Sequence, residues 1–169
     1  MLKRFIDADG TFFYYTAVGQ PDVVIRKKEW YDGATPAGNS IMVANLSYLS
    51  SVFDKPEWKQ QAADMIVALS AAVIKYPSSF ANAGLALQLL VRGEYELSVN
   101  GETAEKALKQ LVQHYWPDKI VQTQQSADNS FPLFQNRWPL NGKCEIYLCK
   151  NQTCNPPVNS VAELLNLHC

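Results

Sequence analysis

The stretch from Ile25 to Ser40 reads IRKKEWYDGATPAGNS and gathers Arg26, Lys28, Glu29, Asp32, Asn39 and Ser40 around Gly33, Pro36 and Gly38. Carboxylates, a guanidinium and an ammonium beside the rings of Tyr14, Trp30 and Tyr31 are the materials for recognising a polyol. Glycoside hydrolysis asks for two carboxyl groups about 5 to 9.5 Å apart across the scissile bond, one of them with a raised pKa. Glu29 and Asp32 are the nearby pair and therefore the candidate catalytic residues. Arg26, Lys28, Glu29, Tyr31, Asp32, Asn39 and Ser40 are the candidate ligand-binding set, with a sugar-like small molecule as the partner. An epimerase-type reaction would further want a placed general base, and His114 and His168 lie far along the chain.

A plainer role suits the same residues. Asp32 can bond local amides in a turn, Gly33 and Gly38 can take backbone angles other residues avoid, and Asn39 or Ser40 can cap a helix beginning at Ile41. Capping alone does not call for Arg26, Lys28 and Glu29.

The second group with chemical potential is Cys144, Cys149 and Cys154, spaced five apart, with His168 and Cys169 behind them. Zinc sites show tighter pair spacing, and strand alternation sends Cys144 and Cys149 to opposite faces. Cys149 and Cys154 are thus weak metal candidates; they bracket a short turn and lie near enough to pair, but buried free thiols are the default expectation. No CxxC motif occurs and no cofactor is implied.

The elements that must position these groups follow from periodicity. TFFYYT and DVVIR, separated by Gly19, Gln20 and Pro21, predict a short antiparallel hairpin. Met42, Leu46, Leu49 and Phe53 make one helical stripe, and Trp58, Ala62, Met65, Leu69, Val73 and Tyr76 a second on a helix opened by Pro56. Joined by Asp54 and Lys55, the two form an αα-hairpin, followed by the apolar helix FANAGLALQLLV. Past Gly93, EYELSVNG, a helix burying Ala104, Leu108, Leu111, Val112 and Tyr115, and KIVQTQ have the order of a β-α-β crossover. CEIYLC predicts a third strand, and Ser160 with Glu163 a capping box for a last helix.

The composition narrows the function classes. With 169 residues, 47% of them apolar, the chain can bury one sizeable core or two small ones. Fifteen basic against 16 acidic residues, a net charge of -1, leave no electrostatic footprint for nucleic acid. No run of 18 apolar residues and no apolar leader is present, and four cysteines without a leader fit a reducing compartment, so the expectation is a soluble, cytoplasmic chain with no membrane partner.

The run Arg26, Lys28, Glu29, Asp32, Gly33, Ala34, Pro36, Gly38, Asn39 and Ser40 closely resembles R-x-K-E-x-x-D-G-A-x-P-S-G-N-S of the thioredoxin-domain-containing, spermatogenesis-associated protein family, with Ala37 where that family has serine. Cys149, Asn151, Cys154 and Pro157 are similar to its later C-x-N-x-x-C-x-x-P. The resemblance implies a thioredoxin-like domain, an (α/α) toroid of the six-hairpin glycosidase type and a small α/β tail, of which this chain resembles the C-terminal part. The expected fold is α+β: residues 1–93 hold a β-hairpin and toroid-like helical hairpins, and residues 94–169 a small β-α-β-β-α subdomain. The expected function is a non-catalytic ligand-binding or scaffolding segment, partnered by a second copy or by complementing thioredoxin and toroid domains. The alternative is a carbohydrate-active enzyme using the loop carboxylates; isolated hairpins cannot close a toroid, which weighs against it.

Overall fold

The structure, a computed structural model, describes residues 2–151 and 153–168, with the His168 side chain left aside. It mixes helices with one four-stranded sheet, the α+β class. The chain divides into two units, one of Met1–Ser50 with Lys55–Val91 and one of Ser51–Asp54 with Arg92–Cys169.

The first unit opens with the short helix α1 (Leu2–Phe5), followed by an arm whose backbone is hydrogen-bonded by Asn39 and Gln61 of the helices behind it. The expected β-hairpin does not form: the arm carries only the isolated bridges Ile6 to Phe13 and Tyr14 to Lys28. The groups that would extend a ladder are already engaged. Thr16 O accepts from the Arg26 guanidinium, and the Val18 amide donates to Arg4 O at 2.8 Å. Val24 and Ile25, read as strand residues, stand 96% and 71% exposed in the wide connection that results.

Helix α2 (Gly38–Phe53) and helix α3 (Pro56–Lys75) form the αα-hairpin, turned at Asp54 with its φ of 50°. Pro56 lacks the amide hydrogen that a first turn leaves unpaired, and Glu57 meets the positive end of α3. Ala62, Met65, Ile66 and Leu69 of α3 pack with Val43 and Leu46 of α2, and with Phe80, Ala83 and Ala86. Helix α4 (Ala81–Arg92) supplies the last two, entered through a 3₁₀ turn at Pro77–Phe80. The buried face of α2 differs from the apolar stripe: Asn39, Ser40, Val43, Leu46, Ser47 and Ser50 are inside, while Leu49 and Phe53 are 37% and 42% exposed. Asn39 draws the face round because its side-chain amide is committed to the arm.

In the second unit the sheet order is β2-β1-β3-β4. Strand β1 (Tyr95–Asn100) pairs in parallel with β2 (Lys119–Gln124) through helix α5 (Ala104–Leu111), and antiparallel with β3 (Glu145–Lys150), which turns back into β4 (Thr153–Cys154). Leu97, Val99, Ile146 and Leu148 face α5 and helix α6 (Val161–His168), packing on Ala104, Ala107, Leu111, Val161 and Leu164. Helix α5 is shorter than its pattern: Val112 and Tyr115, expected inside, are 61% and 94% exposed, and Trp116 turns inward instead. At α6 Ser160 Oγ accepts from the Glu163 amide as a capping box requires, while the Glu163 carboxylate accepts from the Asn159 amide, one residue ahead of the cap. Among the described residues no helix is long and apolar enough to cross a membrane.

Candidate functional site

The loop from Arg26 to Ser40 sits where the arm, α2 and α4 meet, and the side chains of Arg26, Lys28, Asp32 and Asn39 turn to the chain itself. Asn39 lies inside α2, not ahead of it, so it does not cap; Ala37 O accepts the Ile41 amide and the helix begins at Gly38. From this buried position Asn39 Oδ1 accepts the Phe13 amide at 2.8 Å, and Nδ2 donates to Phe13 O and Glu29 O at 2.9 and 2.7 Å. One side chain thereby holds both legs of the arm, at Phe13 and at Glu29. Ser40 beside it is 1% exposed, and its hydroxyl finds no partner among the described residues.

Asp32 does the capping instead. Its Oδ1 accepts the Ala37 amide, just before α2, and its Oδ2 accepts the Asn82 amide in the first turn of α4, both at 2.9 Å. A carboxylate there faces the positive ends of two helices. Glu29 has a different setting. Its side chain borders an open cleft of about 560 Å³ with Tyr15, Thr16, Lys27, Lys28 and Thr35, and Asp32 is not among the residues lining it.

Arg26 lies 4.0 Å over the Tyr14 ring and donates to Thr16 O and Arg4 O, so the aromatic face is covered. Lys28 pairs with Asp7 at 2.8 Å. Burial raises the Asp7 carboxyl, but the Lys28 hydrogen bond and the amides of Thr11 and Phe12 outweigh it and hold the group below its ordinary range. The Asp7 hydrogen bond in turn raises Lys28, against the opposing effect of burial. Tyr31 is exposed and meets Phe80 edge-on, and Trp30 packs beside Phe12. Asp7 escaped the sequence reading; its signal was the Asp-x-Asp-Gly turn of residues 7–10, a setting in which an aspartate bonds amides ahead of it.

The cysteines depart from the free-thiol expectation. Cys149 and Cys154 are joined as a disulfide, which takes both sulfurs away from metal ligation, and Cys144 packs against the apolar face under α5. Among the described residues no cluster of histidines, cysteines and acids is placed to hold a metal ion.

Fold and loop define an α+β chain whose polar loop fastens an N-terminal arm to a helical hairpin. Relatives align with it along nearly all of its own length. It is 26% identical over 175 residues to spermatogenesis-associated protein 20 of Rattus norvegicus, covering 98% of this chain and 22% of that protein, and the Homo sapiens protein gives the same figures. An uncharacterised protein of Caenorhabditis elegans is 25% identical over 165 residues, 94% of this chain and 23% of that one. The likeness supports the spermatogenesis-associated part of the resemblance that the two motif runs carry, and the chain spans about a fifth of the length of the curated relatives it matches. No protein-family model matches the chain, and no solved structure matches it significantly.

Proposed function

We propose that this chain acts as a non-catalytic scaffolding segment, in which the Arg26–Ser40 loop is a structural fastening and not an active site. The observation that supports this is the use of Asp32: both its oxygens accept backbone amides at two helix starts, so it is not free to act as acid, base or nucleophile. Arg26, Lys28 and Asn39 are similarly engaged by Thr16, Asp7 and Phe13. The partner of such a segment is a complementing helical or thioredoxin-like domain, or a second copy of the chain. Helix positions such as Val67, Ile74, Leu85 and Val91, 60% to 82% exposed, offer apolar surface for it.

A second reading, binding of a polyol, is favoured by the cleft beside Glu29, which Tyr15, Thr16, Lys27 and Thr35 also line. A thermal-shift panel of mono- and oligosaccharides on the wild-type chain separates the two. The scaffold reading expects no saccharide to raise the melting temperature. A saccharide that raises it for wild type and not for Glu29→Gln would replace scaffold by ligand site.

A further inference from the structure

The sheet face that bears Glu96, Ser98 and Asn100 also bears Tyr147 and Cys149, paired across the strands as Ser98 with Tyr147 and Glu96 with Cys149. At its edge the β3–β4 hairpin sets Cys149 opposite Cys154. The neighbouring Asn155 amide donates to Leu148 O at 2.9 Å, so the cysteines occupy the intervening non-hydrogen-bonded position, where opposed side chains come closest. Asn151 supports the tight turn between them, since asparagine tolerates its φ of 51°.

Arg137 is delivered onto this disulfide by the turn after the 3₁₀ segment Pro132–Phe134, with its amide bonded to Phe134 O at 3.1 Å. Nη1 lies 3.4 Å from Cys149 Sγ and Nη2 3.2 Å from Cys154 Sγ, while the guanidinium stands 5.0 Å over the Tyr147 ring. A disulfide sulfur is a weak acceptor, so a two-pronged cation gains little from the oxidised pair. A thiolate in the same place is a full charge partner for it. Glu96 and Tyr147 are titratable groups whose charges also act on Arg137.

We propose that Cys149, Cys154 and Arg137 form a thiol–disulfide exchange site whose co-substrate is an external dithiol. Cys149 is 2% exposed and Cys154 is open to solvent, which fixes the direction of attack. An incoming thiolate bonds to Cys154 Sγ, the Cys149–Cys154 bond breaks, and its electron pair leaves on Cys149, where Nη1 of Arg137 stabilises the thiolate. The second thiolate of the co-substrate then attacks its own sulfur of the mixed disulfide and expels Cys154. The external dithiol is oxidised by two electrons to its disulfide, and the protein pair is reduced by two, each thiolate taking a proton from solvent as its pKa requires. Arg137 is a positioning and charge-stabilising residue for the reduced state, which makes the pair more oxidising.

The test uses the full chain in a Cys144→Ser, Cys169→Ser background, equilibrated with reduced and oxidised dithiothreitol, trapped with maleimide and read by intact mass. Arg137→Gln should shift the equilibrium toward disulfide by roughly tenfold and slow alkylation of the reduced pair by iodoacetamide to a similar degree. Arg137→Lys, keeping the charge without the fork, should recover part of both. Equal equilibria and equal alkylation rates in wild type and Arg137→Gln would overturn the proposal, as would a native disulfide inert to millimolar dithiothreitol. Should Arg137→Gln fail to fold, thiolate absorbance of the reduced wild type decides: titration below the ordinary cysteine pKa of about 8.5 supports the site, and titration at or above it does not.

Discussion

Asn39 and Phe13 exchange two hydrogen bonds across 26 residues of chain, the Phe13 amide donating to Oδ1 and Nδ2 donating to the Phe13 carbonyl. A helix side chain here does the work of a neighbouring strand, and it does so where Phe13 is 5% exposed. Asn39→Ala leaves the Phe13 amide and carbonyl without partners and should lower unfolding free energy by about 2–4 kcal/mol. Asn39→Asp at neutral pH sets a carboxylate against the oxygens of Phe13 and Glu29 and should cost more. Burial raises the pKa of such a carboxyl, so part of the loss should return as pH falls and the group becomes neutral. Urea titrations of both variants at two pH values measure this difference.

Asp32 links Ala37 and Asn82, and removing it releases two helix starts at once. Each cap is worth about 0.5–2 kcal/mol, so Asp32→Ala should cost about 1–4 kcal/mol. Asp32→Asn keeps one acceptor oxygen and should lose about half as much. If Asp32→Asn instead left the melt untouched and abolished an activity, the scaffold reading would be wrong.

Asp7 and Lys28 make stability depend on pH at both ends of the scale. The Asp7 carboxyl is held below its ordinary pKa in the folded chain, so its contribution is present above about pH 4 and fades as pH falls through the depressed value. Lys28 is raised, so its contribution is complete below about pH 10 and fades as pH climbs through the raised value. Lys28→Met should flatten both limbs and cost about 1.5–3 kcal/mol between them, because Asp7 remains buried without its cation. Chemical denaturation from about pH 2 to about pH 12 follows both limbs.

The α+β class and most helices were legible because their signals are local: Pro56 and Glu57 open α3, Gly93 separates α4 from β1, and alternation marks EYELSVN. The loop was legible as a dense polar group, but not the destinations of its side chains. Asp32 reaches 50 residues to Asn82 and Lys28 reaches back 21 to Asp7, and no periodicity encodes such a reach. The arm misled for the same reason, since its β-branched run has the propensity of a strand while its ladder groups are taken by Arg26 and Arg4. Arg137 carried no signal at all; only the turn at Asn136, with its φ of 58°, brings it to the sulfurs.

Ser40 offers the converse test, a change that should help. Its hydroxyl is buried beside Asn39 with no partner among the described residues, so it was desolvated on folding without compensation. Ser40→Ala removes the orphan oxygen, keeps the Cβ and improves helix propensity, so unfolding free energy should rise by about 0.5–1.5 kcal/mol. A melting temperature higher by a few degrees is the expected reading. A fall of similar size would mean that the hydroxyl holds something in solution, and Ser40 would then return to the ligand-binding set together with Glu29.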